Sequence, residues 1–327
     1  MILDFPSSNL SRELAKKYGY DEFIIRRWIN FFGEEETLKL VEAMENVPKY
    51  IRVNTLKINE NRLLDKLRRR GFHLSETEVP FCYEVVEAPY SIGATPEFLM
   101  GYYYVMDKSS CVPPLVLNPS EKDTVIDFAA SPGGKTTMLA QLMRNRGSII
   151  AIEANEERLK PLIDNIHRMG AVNIGVLRMD ATGFYRTGIK ADKILLDAPC
   201  TGEGIIHKDP TRKKSRGVKD IAFCSSLQRK LLDSAIKSLK EGGALVYSTC
   251  SLTPEENEIL IDELLKRHRI HLEEIPYGDP ALTKIGEIKL NRELKKARRF
   301  YPHRHRCSGF FVAKIVKDCS VESNGVK

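Results

Sequence analysis

The sequence has no apolar run that approaches the roughly 18 residues needed for a membrane-spanning helix. Its first residues also lack the basic and then apolar layout of a secretory signal peptide. The seven cysteines show no CxxC spacing, which argues against a zinc site and against a disulfide framework. These absences predict a cytoplasmic protein without a metal or a membrane partner.

What the sequence does have is an excess of positive charge, with a formal net charge of +7 over 327 residues. Much of the excess lies in three runs with aromatic residues close by, at 66–73, 207–217 and 295–306. A solvated helix face explains any one run about as well, but three runs favour a polyanionic partner. In the last run, His303, Arg304 and His305 are expected to face that partner or to pack, because no carboxylate or cysteine lies at metal-ligand spacing.

From about residue 120, apolar strand patterns alternate with amphipathic helix patterns. This alternation predicts an α/β fold, a Rossmann-like and mostly parallel sheet with helices on both faces. One helix is predicted over 253–268, with Thr253 as its N-cap and Pro254 at its first position. A smaller α+β unit comes before the sheet. We predict an N-terminal domain, a larger α/β domain and a polar tail, at 1–91, 92–318 and 319–327.

A glycine loop, FAASPGGKTT (128–137), joins the first strand of the predicted sheet to a helix. Small residues before a helix N-terminus suit a phosphate or a nucleotide-like ligand. A nucleoside triphosphate loop needs glycine at position 129, where Ala129 stands. An adenosine-type cofactor needs acidic residues at strand ends, where Glu153, Asp180 and Asp197 lie. The loop also lacks G-x-G-x-x-G, although this alone does not exclude a hydride-transfer cofactor.

Four stretches, FAASPGGKTT, ADKILLDAPCTGEG, YSTCSLTPEENE and FYPHRHRCSGFFVAKI, occur in this order. Together they resemble the Nop/Sun (Fmu) family of RNA cytosine-5 methyltransferases, from about residue 49 to residue 315. The resemblance implies S-adenosylmethionine as cofactor and RNA as partner, with tRNA the first expectation and ribosomal RNA the second. The remaining readings are a protein that binds RNA and nucleoside triphosphate, and a non-catalytic RNA-binding protein.

The resemblance also implies which residues hold the cofactor. Many members end the second strand in Asp, so Glu153 keeps the charge but reaches further. The implied contacts are Ala129, Ala130, Ser131, Pro132, Gly133, Gly134, Lys135, Glu153, Arg158, Asp180 and Asp197.

Two cysteines, Cys200 and Cys250, end two of the predicted strands. Carbon 5 of cytosine is a poor nucleophile, and a thiolate that adds to carbon 6 activates it. The sequence alone does not choose between the two thiols, and analogy with DNA cytosine methyltransferases favours Cys200. The RNA family resemblance instead assigns the nucleophile to Cys250 and product release to Cys200. The other cysteines are expected to be small buried hydrophobic residues, namely Cys82, Cys111, Cys224, Cys307 and Cys319.

Two charged residues complete the predicted catalytic set. Asp197 is expected to hydrogen-bond the cytosine ring nitrogen and amino group, which would polarise the ring and reject uracil. Lys135 is expected to lower the pKa of the nucleophilic thiol or to contact the substrate.

Overall fold

A computed structural model describes residues 2–319, so all but the first residue of the predicted tail at 319–327 lies outside the described residues. The first part of the chain forms helices and short strands. These are α1 (Asn9–Tyr18), α2 (Glu22–Phe32), α3 (Glu34–Met44), β1 (Lys49–Val53), α4 (Glu60–Arg69), β2 (His73–Glu76), β3 (Cys82–Glu87), α5 (Pro96–Leu99), β4 (Tyr103–Val105) and α6 (Lys108–Leu117).

The second part of the chain alternates strands and helices before it ends in short strands. These elements are β5 (Thr124–Asp127), α7 (Gly134–Leu142), β6 (Ser148–Glu153), α8 (Glu156–Met169), β7 (Ile174–Arg178), β8 (Ala191–Asp197), α9 (Arg212–Ser215), α10 (Val218–Ser238), β9 (Leu239–Thr249), α11 (Glu258–Arg267), β10 (Ile270–Glu273), β11 (Asp279–Pro280), β12 (Lys284–Ile285), β13 (Ile288–Lys289), β14 (Arg298–Phe300), α12 (Pro302–His305) and β15 (Phe310–Lys317).

Local sequence explains where several helices begin. The N-cap side chains accept hydrogen bonds from the backbone two residues on, as Asp21 does for α2 and Asn155 for α8. Helix α7 begins differently, after Gly133 at φ 99°, a conformation that favours glycine. Because glycine has no side chain to cap the first turn, backbone N–H groups at the start of α7 stay available to a ligand.

The small sheet is antiparallel, in the order β2-β3-β1-β4. Strand β4 pairs with β1, with Val53 opposite Tyr103 and Ile51 opposite Val105. The small sheet therefore extends beyond the boundary predicted at residue 91, because its strand β4 ends at Val105. The division into domains otherwise stays a prediction.

The large sheet has the order β11-β14-β15-β9-β8-β5-β6-β7, with β10 paired to β15. Strands β5 to β9 are mutually parallel, and β15 runs antiparallel to β9. After β7 the chain crosses to the other side of β5 to form β8. In such sheets the crevice at this reversal, outside the carboxyl ends of the strands, is where ligands bind.

Alternate side chains of the central strands pack into two separate cores, one on each face of the sheet. Val125 and Leu195 point to the core that contains Leu139 of α7, and Ile126 and Leu196 point to the opposite core. That opposite core contains α10 and α11 residues. The predicted Rossmann-like α/β fold, with helices on both faces, is confirmed.

The helix predicted over 253–268 is wrong in its first turn. Pro254–Glu256 form a short 3-10 turn, and α11 begins only at Glu258. The break has a tertiary cause, because the Glu256 carbonyl accepts a hydrogen bond from the Tyr247 hydroxyl at 2.6 Å. Thr249 also donates to the Asn257 side chain at 2.6 Å. As a result, the residues of this turn stay buried beside the end of β9.

The prediction of burial is correct for three of the five remaining cysteines. Cys82, Cys111 and Cys307 are buried as predicted, but Cys224 is only partly buried and Cys319 is exposed. Cys224 lies in the first half of α10 and Cys319 lies beyond the last strand, where no core covers them fully. Among residues 2–319, no helix is long and apolar enough to span a membrane.

Candidate active site

The two cysteines of the predicted site meet at the carboxyl edge of the large sheet. β8 and β9 are neighbouring parallel strands, with Asp197 opposite Ser248. Cys250 directly follows the last residue of β9, and Cys200 lies in the loop after β8. Their sulfur atoms are 3.1 Å apart, and both residues are partly buried. The chain thus brings together two thiols that are 50 residues apart in sequence.

The two thiols differ in their acidity. The pKa of Cys250 is lowered, mainly by its hydrogen bond with the Cys200 thiol, and the nearby Lys135 ammonium group acts in the same direction. The pKa of Cys200 is raised by the same hydrogen bond, by burial, and by the negative charges of Cys250, Glu256 and Asp197. Cys250 is therefore the thiol that ionises first.

An ion pair lies beside these thiols. The Lys135 ammonium nitrogen is 2.6 Å from Asp197 Oδ2, and the Ser248 hydroxyl donates to Asp197 Oδ1 at 2.8 Å. Burial lowers the pKa of Lys135, but the Asp197 carboxylate raises it and the net shift is upward. Lys135 also lies over the Phe310 ring, 5.4 Å from its centroid. The charged ammonium group of Lys135 therefore lies beside the loops after β8 and β9, which carry Cys200 and Cys250 and are called the cysteine loops below.

A cleft of about 380 Å³ opens next to this group of side chains. Its walls come from the glycine loop, from the segment around β4 and from the loop after β8. The lining residues are Tyr104, Val105, Met106, Asp107, Ser110, Asp127, Ala129, Ala130, Ser131, Pro132, Gly134, Lys135, Asp197, Ile205 and Lys208.

A smaller cavity of about 90 Å³ shares Ala129 with the cleft. Glu153, Arg158 and Asp180 line it together with apolar side chains, namely Phe128, Met179, Pro199, Leu227 and Leu231. Carboxylates among flat apolar walls fit a nucleoside, which presents hydroxyl and amino donors and a purine ring. Gly133 lines neither the cleft nor the smaller cavity. It lies next to Leu162 and shapes the turn before α7.

The contacts of the acidic residues agree with this interpretation. Glu153 is 6% exposed, and its Oε1 accepts the Asn155 N–H at 2.9 Å. Arg158 Nη1 lies 3.7 Å from Glu153 Oε2, and Arg158 Nη2 donates to the Ser131 carbonyl at 2.8 Å. Arg158 thereby links the end of β6 to the glycine loop.

Sequence reasoning missed several residues of the site. Ser248, Phe310 and Glu256 all lie within the four quoted stretches, so the signal was present but no role was assigned to them. Asp127 was missed as well. It is buried at the base of the cleft, where burial raises its pKa to about 6 although Thr136 donates a hydrogen bond to it at 2.7 Å.

The basic runs differ in their surroundings. In the run 295–306, Arg299 is buried against Glu258, and both His303 and Arg304 bind Glu36 of α3. For His303 and Arg304 these contacts favour the packing alternative. His305 also packs, since its ring nitrogen accepts the Tyr301 N–H at 3.0 Å.

The run 207–217 reaches the site instead. Arg212 and Arg216 both donate to the Thr201 carbonyl, at 2.8 and 3.1 Å, directly after Cys200. The run 66–73 spans the end of α4 and the start of β2, beside the small sheet, and Arg68 in it remains 69% exposed. In the part of the chain that the structure describes, no group of three or more His, Cys, Asp or Glu side chains is arranged to hold a metal ion.

Residues 114–316 match the family described as 16S rRNA methyltransferase RsmB/F. The chain is 40% identical over 324 residues to the 28S rRNA (cytosine(4447)-C(5))-methyltransferase of Homo sapiens, covering 95% of this chain and 39% of that protein. It is 43% identical over 228 residues to the tRNA (cytosine(72)-C(5))-methyltransferase of Pyrococcus horikoshii, covering 69% of this chain and 55% of that protein.

A solved structure of a methyltransferase homolog from Pyrococcus horikoshii superposes with a TM-score of 0.87 at 42% identity. It covers 95% of this chain and 100% of that chain. The chain spans about half the length, or less, of these two curated relatives.

Proposed function

Because the chain belongs to the RsmB/F family of RNA methyltransferases, we propose that it methylates carbon 5 of cytosine in RNA. The family membership confirms the resemblance seen in the four stretches. One observation carries the proposal most directly: two thiols of opposite pKa shift lie 3.1 Å apart beside the Lys135–Asp197 ion pair.

The cofactor is S-adenosylmethionine, which supplies an electrophilic methyl group when bound. In our proposal, Glu153 accepts hydrogen bonds from the ribose hydroxyls and Arg158 keeps Glu153 in place. Asp180, which lines the same cavity, would accept a hydrogen bond from the purine amino group. Ala129 of the glycine loop lines both cavities, and Lys135 of the same loop bonds Asp197 beside the thiols.

Cys250 is the proposed nucleophile. Its thiolate sulfur donates an electron pair to carbon 6 of cytosine, and the carbon 5–carbon 6 π pair moves to carbon 5. That pair would bond to the methyl carbon, and the electron pair of the broken sulfur–methyl bond would stay on the cofactor sulfur. Lys135 supports the first step, because a neighbouring cation favours the thiolate.

Asp197 is the proposed contact for the base. Ser248 and Lys135 each engage one of its oxygens, so the carboxylate is fixed and keeps further acceptor positions. It can accept the amino hydrogen of cytosine, whereas the carbonyl oxygen of uracil at the same place would be repelled. The same contact holds the ring next to the Cys250 sulfur.

Cys200 is proposed to help release the product. Carbon 5 loses its proton to a base, the carbon–hydrogen pair restores the double bond, and the carbon–sulfur pair returns to Cys250. A protonated Cys200 thiol can donate a hydrogen bond to the sulfur as it leaves, across the 3.1 Å separation. Without that donor, the covalent adduct should persist.

The substrate class is the finer part of the proposal. Ribosomal RNA is named for the family and for the human relative, which matches 95% of this chain. tRNA, which we expected first, is named for one archaeal relative that matches 69% of it. We therefore place ribosomal RNA first for this chain and tRNA second, and a cytoplasmic location stays part of the proposal.

A methyl-transfer assay tests the function. Purified protein would be incubated with labelled S-adenosylmethionine and unmodified ribosomal RNA or tRNA transcripts, with Cys250→Ala and Cys319→Ala as variants. Cys319 is a matched control, because its thiol is exposed and lies close to Gly242, in the first half of β9 and away from its carboxyl end. We expect label on cytosine with wild type and Cys319→Ala and none with Cys250→Ala. Absence of label on every RNA would favour a non-catalytic RNA-binding protein.

A further inference from the structure

Glu256 is a fully buried carboxyl group that connects the two cysteine loops. Its Oε2 accepts the Thr201 N–H at 3.0 Å, and its Oε1 accepts the Thr201 hydroxyl. The same Oε1 accepts the Ser251 hydroxyl at 2.8 Å. Thr201 directly follows Cys200 and Ser251 directly follows Cys250. One side chain thus clamps together the residues next to both sulfurs.

A fourth donor completes the set, because Gln228 of α10 donates to Oε2 at 2.9 Å and also to the Pro199 carbonyl at 2.8 Å. Four donors on two oxygens suit an ionised carboxylate. Burial nevertheless raises the pKa of Glu256 to about 7. Among the described residues, no lysine or arginine forms an ion pair with it. A buried carboxylate without a cation is costly, so stability alone explains this residue poorly.

The neighbouring residue shows what a purely structural carboxylate looks like here. Glu255 belongs to the same 3-10 turn and is 3% exposed. It pairs with Arg27 of α2 at 2.7 Å and accepts the Leu3 N–H at 2.7 Å. Glu255 therefore fastens the N-terminal helices to the large domain, while Glu256 faces the thiols.

The charges around the two sulfurs are unevenly distributed. Lys135 from α7 lowers the pKa of Cys250, and Asp197 from β8 raises the pKa of both thiols. Glu256 raises both as well, but its influence exceeds that of Asp197 at Cys200 and is smaller than that of Asp197 and Lys135 at Cys250. Cys224 on α10 also faces this group, and its pKa is raised by burial and by Glu256. The cation thus favours the thiolate at Cys250, and Glu256 disfavours it at Cys200.

We propose that Glu256 is a positioning residue, whose carboxylate holds the two sulfurs in contact and whose negative charge keeps Cys200 in the thiol form. The catalytic role of Glu256 rests on the proposed function, in which Cys200 donates a proton and Cys250 donates an electron pair.

The test measures the two thiols directly. Iodoacetamide would be reacted at low labelling over a range of pH with wild type, Glu256→Gln and Glu255→Gln, and mass spectrometry would assign the labelled cysteine. Wild type should label Cys250 at lower pH than Cys200. Glu256→Gln should lower the apparent pKa of Cys200 by about one unit, since a buried negative charge has been removed. Glu255→Gln should leave both thiol pKa values unchanged, even if it melts at a lower temperature.

Methyl transfer by the same variants supplies the second readout. Glu256→Gln should reduce kcat by about 10²-fold with little change in KM for S-adenosylmethionine, because the reacting groups are displaced. An unchanged Cys200 pKa in Glu256→Gln would overturn the proposal, whatever happens to the rate. Alkylation needs no RNA. If wild type transfers no methyl group, the proposed function is wrong. The alkylation result still tests whether Glu256 raises the pKa of Cys200.

Discussion

The loops after β8 and β9 present the same residue type at the same edge of the sheet but give it opposite chemistry. Cys250 follows its strand immediately, beside Lys135, and its pKa is lowered. Cys200 stands three residues beyond Asp197, in a loop held by Glu256, and its pKa is raised. Neighbours from other elements, rather than position in the sheet, therefore decide which thiol ionises.

The largest effect is expected at Cys250. Replacement by alanine removes the proposed nucleophile, so methyl transfer should fall by about 10⁴-fold or more. The covalent protein–RNA adduct should disappear with it on a denaturing gel. Transfer within tenfold of wild type would show that the two loops have the reverse roles or that no thiol is required.

Cys200→Ala should impair release of the product rather than attack on the base. The adduct should still form because Lys135 remains beside Cys250, although losing the Cys200 hydrogen bond raises the pKa of Cys250 and moves attack to higher pH. Turnover should fall by roughly 10²- to 10³-fold as the leaving sulfur loses its donor. A gel would show a persistent protein–RNA band that wild type lacks. Loss of both the band and the transfer would instead mean that Cys200 is needed for attack.

Lys135→Met should have an intermediate effect that depends on pH. Removing the cation raises the pKa of Cys250, so less thiolate exists at a given pH and the rate should regain its maximum only at higher pH. The fall near neutral pH should be about 10- to 100-fold. Lys193→Met is a suitable control, since Lys193 bonds the carbonyls of Leu117 and Asn118 at the start of β8. Equal pH profiles for the two variants would contradict the role of Lys135.

An effect no larger than that of Lys135→Met, but without its dependence on pH, is expected at Ser248, which supports Asp197 through one hydrogen bond of 2.8 Å. Losing a hydrogen bond to a charged group costs about 1.5 to 3 kcal/mol, so Ser248→Ala should reduce kcat/KM for RNA by roughly 10- to 100-fold. Ser234→Ala provides the comparison, because Ser234 is equally buried but bonds the Ala181 carbonyl. A similar loss in both variants would point to a general effect on stability.

Much of the site could be predicted from the sequence because its parts follow strand ends. The strand and helix patterns place Cys200, Cys250 and Asp197 at one edge, and the glycine loop precedes α7 as expected. Local patterns of this kind carry information about neighbours in the chain.

The rest depends on contacts between distant residues. The break before α11 follows from the Tyr247 hydroxyl and the Thr249 side chain, which no helix signal reveals. The run 295–306 looks like a nucleic-acid contact, yet Glu36 and Glu258 neutralise Arg304 and Arg299. The bridging role of Glu256 was equally hidden, because its partners Thr201 and Gln228 lie 55 and 28 residues away.

The most direct measurement is to identify the cysteine that holds the RNA. Cys200→Ala would be incubated with S-adenosylmethionine and the RNA that wild type methylates, the trapped adduct digested with protease and nuclease, and the modified peptide sequenced by mass spectrometry. The difference between the two loops predicts a methylated cytidine on the peptide that contains Cys250. An adduct on any other cysteine, or a turnover that needs no adduct, would contradict it.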